Sequence, residues 1–157
     1  MEAKLPSVKN AADTHINACA VLSQLGRHQT ALEHAQQALI LLQEELLSPP
    51  GAQGNDEKAT PQADRIAVLA IAYHNVGVEQ EFLKKYENSV MSYRKGVEIA
   101  ERYLGPKHAI CITLKNSLVA TKKAIAASNK NGHKHPGPAA SKKAKKSNTM
   151  NGTVDNN

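Results

Sequence analysis

Histidine is the residue type in this chain that most readily suggests chemistry, because imidazole can bind a metal or exchange a proton near neutral pH. There are seven histidines and two cysteines in the 157 residues. The first five histidines are His15, His28, His34, His74 and His108. No cysteine or carboxylate stands beside them at zinc-ligand spacing. His133 and His135 could hold a transition metal only weakly, so the sequence predicts no metal site.

Motifs of catalysis are also missing from the sequence. It contains no glycine-rich phosphate loop, no nucleophile elbow and no paired-carboxylate pattern. Cys19 and Cys111 each lie among small or aliphatic residues at helical spacing, where a reduced thiol packs as a small apolar group. We therefore expect a protein that is not an enzyme and needs no cofactor.

Basic residues are concentrated near the end of the chain. Residues 129–157 contain six lysines and one aspartate, and so account for five of the six net positive charges. Lys142, Lys143, Lys145 and Lys146 form a cluster typical of nuclear import, which would also attract nucleic acid, anionic lipid or the acidic tails of tubulin. The alternative is a segment that only aids solubility. Aromatic residues for base stacking are absent from residues 129–157, which disfavours sequence-specific nucleic-acid recognition.

Helical periodicity dominates the rest of the chain and predicts an all-α fold of five helices. A first hairpin over residues 10–47 contains helices over Asn10–Leu25 and His28–Leu47, with a turn at Gly26. In a second hairpin over residues 64–104, Asp64 is the predicted cap of the first helix, and the second helix runs from about Tyr86 to Tyr103. Leu104-Gly105-Pro106 ends that hairpin. A capping helix follows within residues 107–128, from about His108 to Ala127.

The segments around these helices are polar or rich in proline and glycine. We expect a flexible N-terminus over residues 1–9, a loop over residues 48–63 and a disordered basic tail over residues 129–157. The helical domain then occupies residues 10–128. The chain has no apolar run long enough to span a membrane, and its first 15 residues lack the apolar core of a signal peptide. These features predict a cytoplasmic protein.

Two helix-turn-helix units, Ala12–Leu42 and Ala70–Ala100, match each other at an offset of 58 residues. At repeat positions 4, 8, 17, 20, 24 and 27, the second unit has Tyr73, Gly77, Tyr86, Ser89, Tyr93 and Gly96. The first unit has Cys19, Gly26, His28, Ala31, Ala35 and Ala38 at positions 8, 15, 17, 20, 24 and 27. This pattern resembles the tetratricopeptide repeat. One departure is Lys84, which replaces the glycine of position 15 in the second unit.

The stretch ERYLGPKHAICITLKNSL resembles the extended repeats of kinesin light chains and of spindle-orienting polarity adaptors. The last helix then resembles the first half of a third unit. In this family the first helices of successive units line a groove that receives an extended peptide or a helix. The resemblance assigns to this groove, from the first unit, Asp13, Ile16, Asn17, Ala20, Ser23 and Gln24. It adds, from the later helices, Ile71, His74, Asn75, Val78, Glu81, Phe82, Lys115 and Asn116.

Asparagine occupies repeat position 6 in all three first helices, as Asn17, Asn75 and Asn116. Its amide can donate to and accept from a partner's backbone, so these residues form a predicted peptide-holding row. The alternative is that asparagine is simply common at this position in the family. Chaperone-binding relatives hold a C-terminal carboxylate with Lys and Asn where this chain has Ile16 and Ala20, which disfavours that kind of clamp.

The resemblance implies a protein-protein interaction adaptor or scaffold in a larger assembly, with a microtubule, axonemal or ciliary setting in the cytoplasm. A second hypothesis is a nucleic-acid-associated protein that binds through its basic tail and enters the nucleus through Lys142–Lys146. So short an array should also leave an apolar face for a partner or a second copy to cover. The two candidate faces are the one near Leu32, Leu39 and Leu42 and the one around Ile112 and Val119.

Overall fold

The computed structural model describes residues 11–47 and 61–132, and this part of the chain contains five α-helices and no strand. The helices are α1 (Ala11–Gln24), α2 (His28–Leu47), α3 (Pro61–Phe82), α4 (Tyr86–Tyr103) and α5 (Ala109–Gly132). The all-α prediction is confirmed for these residues. The N-terminus, most of the predicted loop and most of the predicted tail, including Lys142–Lys146, lie outside the described residues.

Two of the predicted helix boundaries are wrong. The third helix begins at Pro61, so Asp64 lies in its first turn instead of capping it. Proline suits a first turn because its φ is already helical and its missing N–H would have no partner there. The last helix continues to Gly132 and so includes the first four residues of the predicted tail. Its final residues are exposed and polar, and they extend the helix without facing a core.

The third helix is the centre of the structure, since it contacts the other four. Each helix packs against the next one in sequence, and α3 also touches both α1 and α5. Small residues on α2 allow α3 to approach closely: Ala31, Ala35 and Ala38 have no exposed surface. Cys19, Leu32 and Val76 pack beside them, so that α1, α2 and α3 share one core.

This packing decides between the two apolar faces predicted to need a partner. The face near Leu32, Leu39 and Leu42 is not available, because Leu32 and Leu42 are buried and Leu39 packs against the core that α3 completes. That prediction was wrong because the small alanines of α2 allow α3 to pack closely against α2, and α3 then covers these leucines. Ile112 and Val119 are 47% and 49% exposed, as the second alternative expects.

The turns that close the two hairpins have the same hydrogen bonds, 58 residues apart. The N–H of Gly26 donates to the carbonyl of Ser23 at 3.0 Å, and the N–H of Lys84 donates to that of Glu81 at 2.9 Å. In each turn the next residue donates to a carbonyl five residues back, at 2.9 Å and 2.8 Å. These paired bonds define a Schellman C-cap, which needs a left-handed residue at its centre. Gly26 has a φ of 73° and Lys84 a φ of 62°.

Lys84 therefore occupies a conformation that costs a residue with a Cβ about 1–2 kcal/mol. We expect Lys84→Gly to increase the free energy of unfolding by about 0.5–1 kcal/mol, because the greater chain entropy of glycine when unfolded offsets part of the gain. The matched change Gly26→Lys should reduce it by a similar amount, since no atom lies within 4 Å of a Cβ built at Gly26 and only the backbone is strained. Urea unfolding would measure both values. Destabilisation by Lys84→Gly would contradict this account.

Between α3 and α4 the helices meet at Gly77. A Cβ at residue 77 would lie 2.7 Å from Cδ1 and 2.8 Å from Cζ of Tyr93, closer than carbon atoms can approach. Gly96 has the corresponding role between α4 and α5, where a Cβ would lie 2.8 Å from Cδ2 of Leu114. Tyr93 and Leu114 have no exposed surface. The two glycines thus provide the space in which these two large side chains are buried.

Gly77→Leu should unfold the domain or lower its stability by about 3 kcal/mol or more, since the ring of Tyr93 has no room to move aside. Thermal unfolding followed by circular dichroism would measure the loss. Gly132→Leu is the matched control, because it is also a helical glycine and no atom lies within 4 Å of its Cβ position. An unchanged melting temperature for Gly77→Leu would show that α3 and α4 do not meet as described.

Candidate functional site

One side of α3 remains open to solvent along a single stripe. Within residues 71–82 six residues are buried, and the other six are half-buried or exposed. The six that reach solvent are Ile71, His74, Asn75, Val78, Glu81 and Phe82. These are the six predicted groove positions of the second unit. The face of α3 that a partner could reach is therefore the face that the repeat pattern indicates.

The fifth helix runs beside α3 in the same direction, and two hydrogen bonds fix its register. His74 Nε2 lies 3.1 Å from Ser117 Oγ, and Glu81 accepts a hydrogen bond from the hydroxyl of Thr121. These pairs are 43 and 40 residues apart in sequence. These separations bracket the offset of 41 residues that the repeat pattern gives between α3 and α5. By that pattern Ile112 corresponds to Ile71, and Val119 corresponds to Val78.

The line along which α3 and α5 meet is called the seam. Its polar contacts are made by His74 and Glu81 of α3 and by Ser117 and Thr121 of α5. Glu81 accepts a further hydrogen bond from the hydroxyl of Tyr93 at 3.1 Å, so its carboxylate is held by two donors. Burial lowers the pKa of His74 from 6.5, more than the nearby Glu81 and a hydrogen bond with Asn75 raise it. A neutral His74 adds no positive charge to the seam.

The first helix contributes a more polar stripe. Asn17, Ala20 and Gln24 are exposed, and Ile16 and Ser23 are half-buried. Asp13 accepts a hydrogen bond at 3.1 Å from Arg65, whose guanidinium also donates to Glu45 at 2.8 Å. This bridge joins the starts of α1 and α3 to the end of α2. Asp13 therefore has a structural partner in addition to its predicted place in the groove.

The predicted groove residues of α5 differ in their surroundings. Asn116 is exposed, as are Asn17 and, in part, Asn75. Lys115 forms an ion pair with Glu101 of α4, and the hydrogen bond that Lys115 donates to that carboxylate raises the pKa of Lys115. Lys115 thus faces α4 more than the open side. Ile112, Val119 and Lys123 lie at repeat positions 2, 9 and 13, so the repeat rule applied to α5 places them in the groove that the sequence analysis left incomplete.

A buried carboxylate is the feature that sequence reasoning missed. Glu79 is 2% exposed, and its Oε2 lies 2.8 Å from Nδ1 of His28. The ring of His28 stacks on Phe82 at a centroid distance of 4.0 Å and an interplanar angle of 5°. A buried carboxylate is stable only with such a partner. The sequence does contain a signal for it, because Glu79 lies on the same helix face as the apolar residues Val76 and Leu83.

Cys19 and Cys111 are both buried and form no disulfide with each other. Burial, and secondly the charge of Glu79, raises the pKa of the Cys19 thiol to about 11, so it stays protonated at neutral pH. Within the described ranges no group of three or more histidine, cysteine, aspartate or glutamate residues could hold a metal ion. No helix of the same ranges is long and apolar enough to cross a membrane.

A separate cavity of about 540 Å³ lies at the opposite end of the helices from the two hairpin turns. It is formed by the ends of α2 and α4 and the start of α3, with Leu46, Ile66 and Ile99 in its wall. Glu98 and Arg102 also line it. The cavity shares no residue with the stripe on α3, and the predicted groove does not depend on it.

Comparison of the chain with family models, with curated proteins and with solved structures gives no significant match. The candidate site is therefore defined by its geometry and by the internal repeat.

Protonation of His74 should destabilise the fold. Because burial lowers its pKa in the folded state, the unfolded chain binds the proton more tightly. The stability that neutral His74 provides is present above about pH 6.5 and is lost as the pH falls toward the lowered value. We expect the wild type to lose more unfolding free energy than His74→Gln between about pH 7.5 and pH 5. Urea unfolding at both pH values would measure the difference, and parallel losses would contradict the assignment.

Proposed function

We propose that this chain is a tetratricopeptide-type repeat domain that binds a segment of a partner protein on the open face of α1, α3 and α5. It acts as an adaptor or scaffold and performs no catalysis. The observation that supports the proposal best is the match on α3 between the six predicted groove positions and the six residues that reach solvent between residues 71 and 82.

The repeated turn geometry supports the same conclusion. Gly26 and Lys84 share a left-handed backbone and the same pair of hydrogen bonds, although only one of them is a glycine. Lysine disfavours this left-handed conformation, so its presence at Lys84 indicates that the second hairpin keeps the turn geometry of the first even where the residue does not suit it. Two units of one geometry, followed by a further helix in register, are the arrangement that a helical-repeat domain requires.

Large apolar side chains on the open face also favour binding. Ile71, Phe82, Ile112 and Val119 are between 36% and 56% exposed, and all four occupy groove positions. Solvent contact with several aliphatic and aromatic groups on one face is a feature of protein interaction sites. The microtubule or ciliary setting rests on the family resemblance alone. The second hypothesis, nucleic-acid binding by the basic tail, depends on residues outside the described part of the chain.

Substitutions on the open face should weaken partner binding without unfolding the domain. A displayed library of random peptides, about four helical turns long, would be selected against the full chain, and the affinity of the enriched peptides measured by fluorescence anisotropy. We expect Ile71→Asp and Val119→Asp each to weaken binding at least about tenfold, because a carboxylate would be desolvated against apolar groups.

Met91→Asp is the matched control. Met91 is 57% exposed, much like Val119, but it belongs to α4 and occupies no groove position. It should leave peptide affinity unchanged. If no peptide is enriched, or if the enriched peptides bind the Val119→Asp and Met91→Asp variants equally well, the open face is not a peptide-binding groove.

A further inference from the structure

The half of the open face formed by α3 and α5 is more apolar than the half formed by α1. At repeat position 2 the three helices have Asp13, Ile71 and Ile112, and at position 9 they have Ala20, Val78 and Val119. Asp13 is bound by Arg65, so the α1 stripe offers mainly amide groups and Ala20. The apolar contacts available to a partner therefore lie along the seam between α3 and α5.

The aliphatic residues of this seam form two rows. One row is Ile71 with Ile112, and the other is Val78 with Val119, seven residues further along each helix. Seven residues of α-helix span about 10.5 Å. Asn75 and Asn116 lie between the rows, at repeat position 6. A helix placed along the seam would meet the two rows with apolar residues seven positions apart and would face the amides in between.

Positive charge is concentrated at one end of the seam. The fifth helix contains four lysines and no acidic residue. Only Lys115, near its start, has an ion-pair partner in the described part of the chain, whereas Lys122 and Lys123 are exposed and have none there. Lys123 continues the stripe of Ile112, Asn116 and Val119 by one turn.

The hairpin turn beside this end adds to the charge. Lys84 and Lys85 are exposed between α3 and α4, and Lys84 lines a shallow surface cavity together with Ala124 and Ile125 of α5. The carboxylates near this end are Glu81, which accepts hydrogen bonds from the hydroxyls of Tyr93 and Thr121, and the exposed Glu87. Neither forms an ion pair with Lys84 or Lys85 in the described part of the chain. A partner group at this end would therefore meet unpaired ammonium groups.

We infer that the partner segment is an acidic amphipathic helix that lies along the seam between α3 and α5. Its aliphatic residues at positions i and i+7 contact the two aliphatic rows, and acidic residues about one turn further on meet Lys122 and Lys123. A polar residue at i+3 or i+4 faces Asn75 and Asn116. This inference rests on the proposed groove function and specifies the chemistry of its partner.

The same peptide selection tests this inference, with the composition of the enriched peptides as the first measurement. We expect aliphatic residues at a seven-residue spacing and an excess of Asp and Glu to one side of them. Affinity should fall roughly three- to tenfold for the double variant Lys122→Ser with Lys123→Ser, since two exposed ion pairs are lost, and raised salt should remove the difference.

Two controls separate this site from other basic residues. Lys95→Ser removes an exposed lysine from α4, and a variant with serine at Lys142, Lys143, Lys145 and Lys146 removes the basic cluster; neither should reduce affinity about threefold or more. If the enriched peptides need Val119 but show no acidic excess, or if the Lys122 and Lys123 variant binds them normally, the acidic partner is wrong and the groove remains. If the seven-residue spacing is absent, the helical partner is wrong. If no peptide depends on Val119, the groove itself is wrong.

Discussion

The ring of Tyr93 lies where any side chain on residue 77 would have to be, and this contact determines how α3 and α4 pack. Tyr93 has no exposed surface, while its hydroxyl reaches the carboxylate of Glu81 on the open side. Burial raises its pKa, and the charge of Glu81 adds to this, so the phenol stays protonated and remains a donor. One side chain thus links the contact between α3 and α4 at Gly77 to the seam that forms the candidate site.

From this contact the arrangement extends toward α5. Gly96 lies one turn beyond Tyr93 on α4 and leaves room for Leu114, which lets α5 settle beside α3. Ser117 and Thr121 then form hydrogen bonds with His74 and Glu81, which join α5 to α3 along the open face. The two aliphatic rows of the open face depend on the position of α5. That position depends in turn on Gly77 and Gly96 on the buried side.

On the other side of α3, charged groups fix its position against the first hairpin. Arg65 joins Asp13 to Glu45 at one end of the helix, and His28 pairs with the buried Glu79 toward the other. Glu79 is buried, so removal of His28 would leave its carboxylate without compensation and would cost more than an exposed salt bridge contributes. These pairs favour one position of α3 along the length of α2. The small alanines of α2 by themselves would not select that position.

The sequence by itself determined the helices and their turns, because apolar spacing, Gly26 and the Leu104-Gly105-Pro106 stop are local features whose effect does not depend on the rest of the chain. The six groove positions that the resemblance to the tetratricopeptide repeat implies for the second unit are also the six residues between 71 and 82 that reach solvent. The tertiary structure decided which leucines are covered and that the buried Glu79 pairs with His28, 51 residues away. Each of these depends on how closely two helices approach, and that distance is set by contacts such as Gly77 with Tyr93, which join residues far apart in sequence.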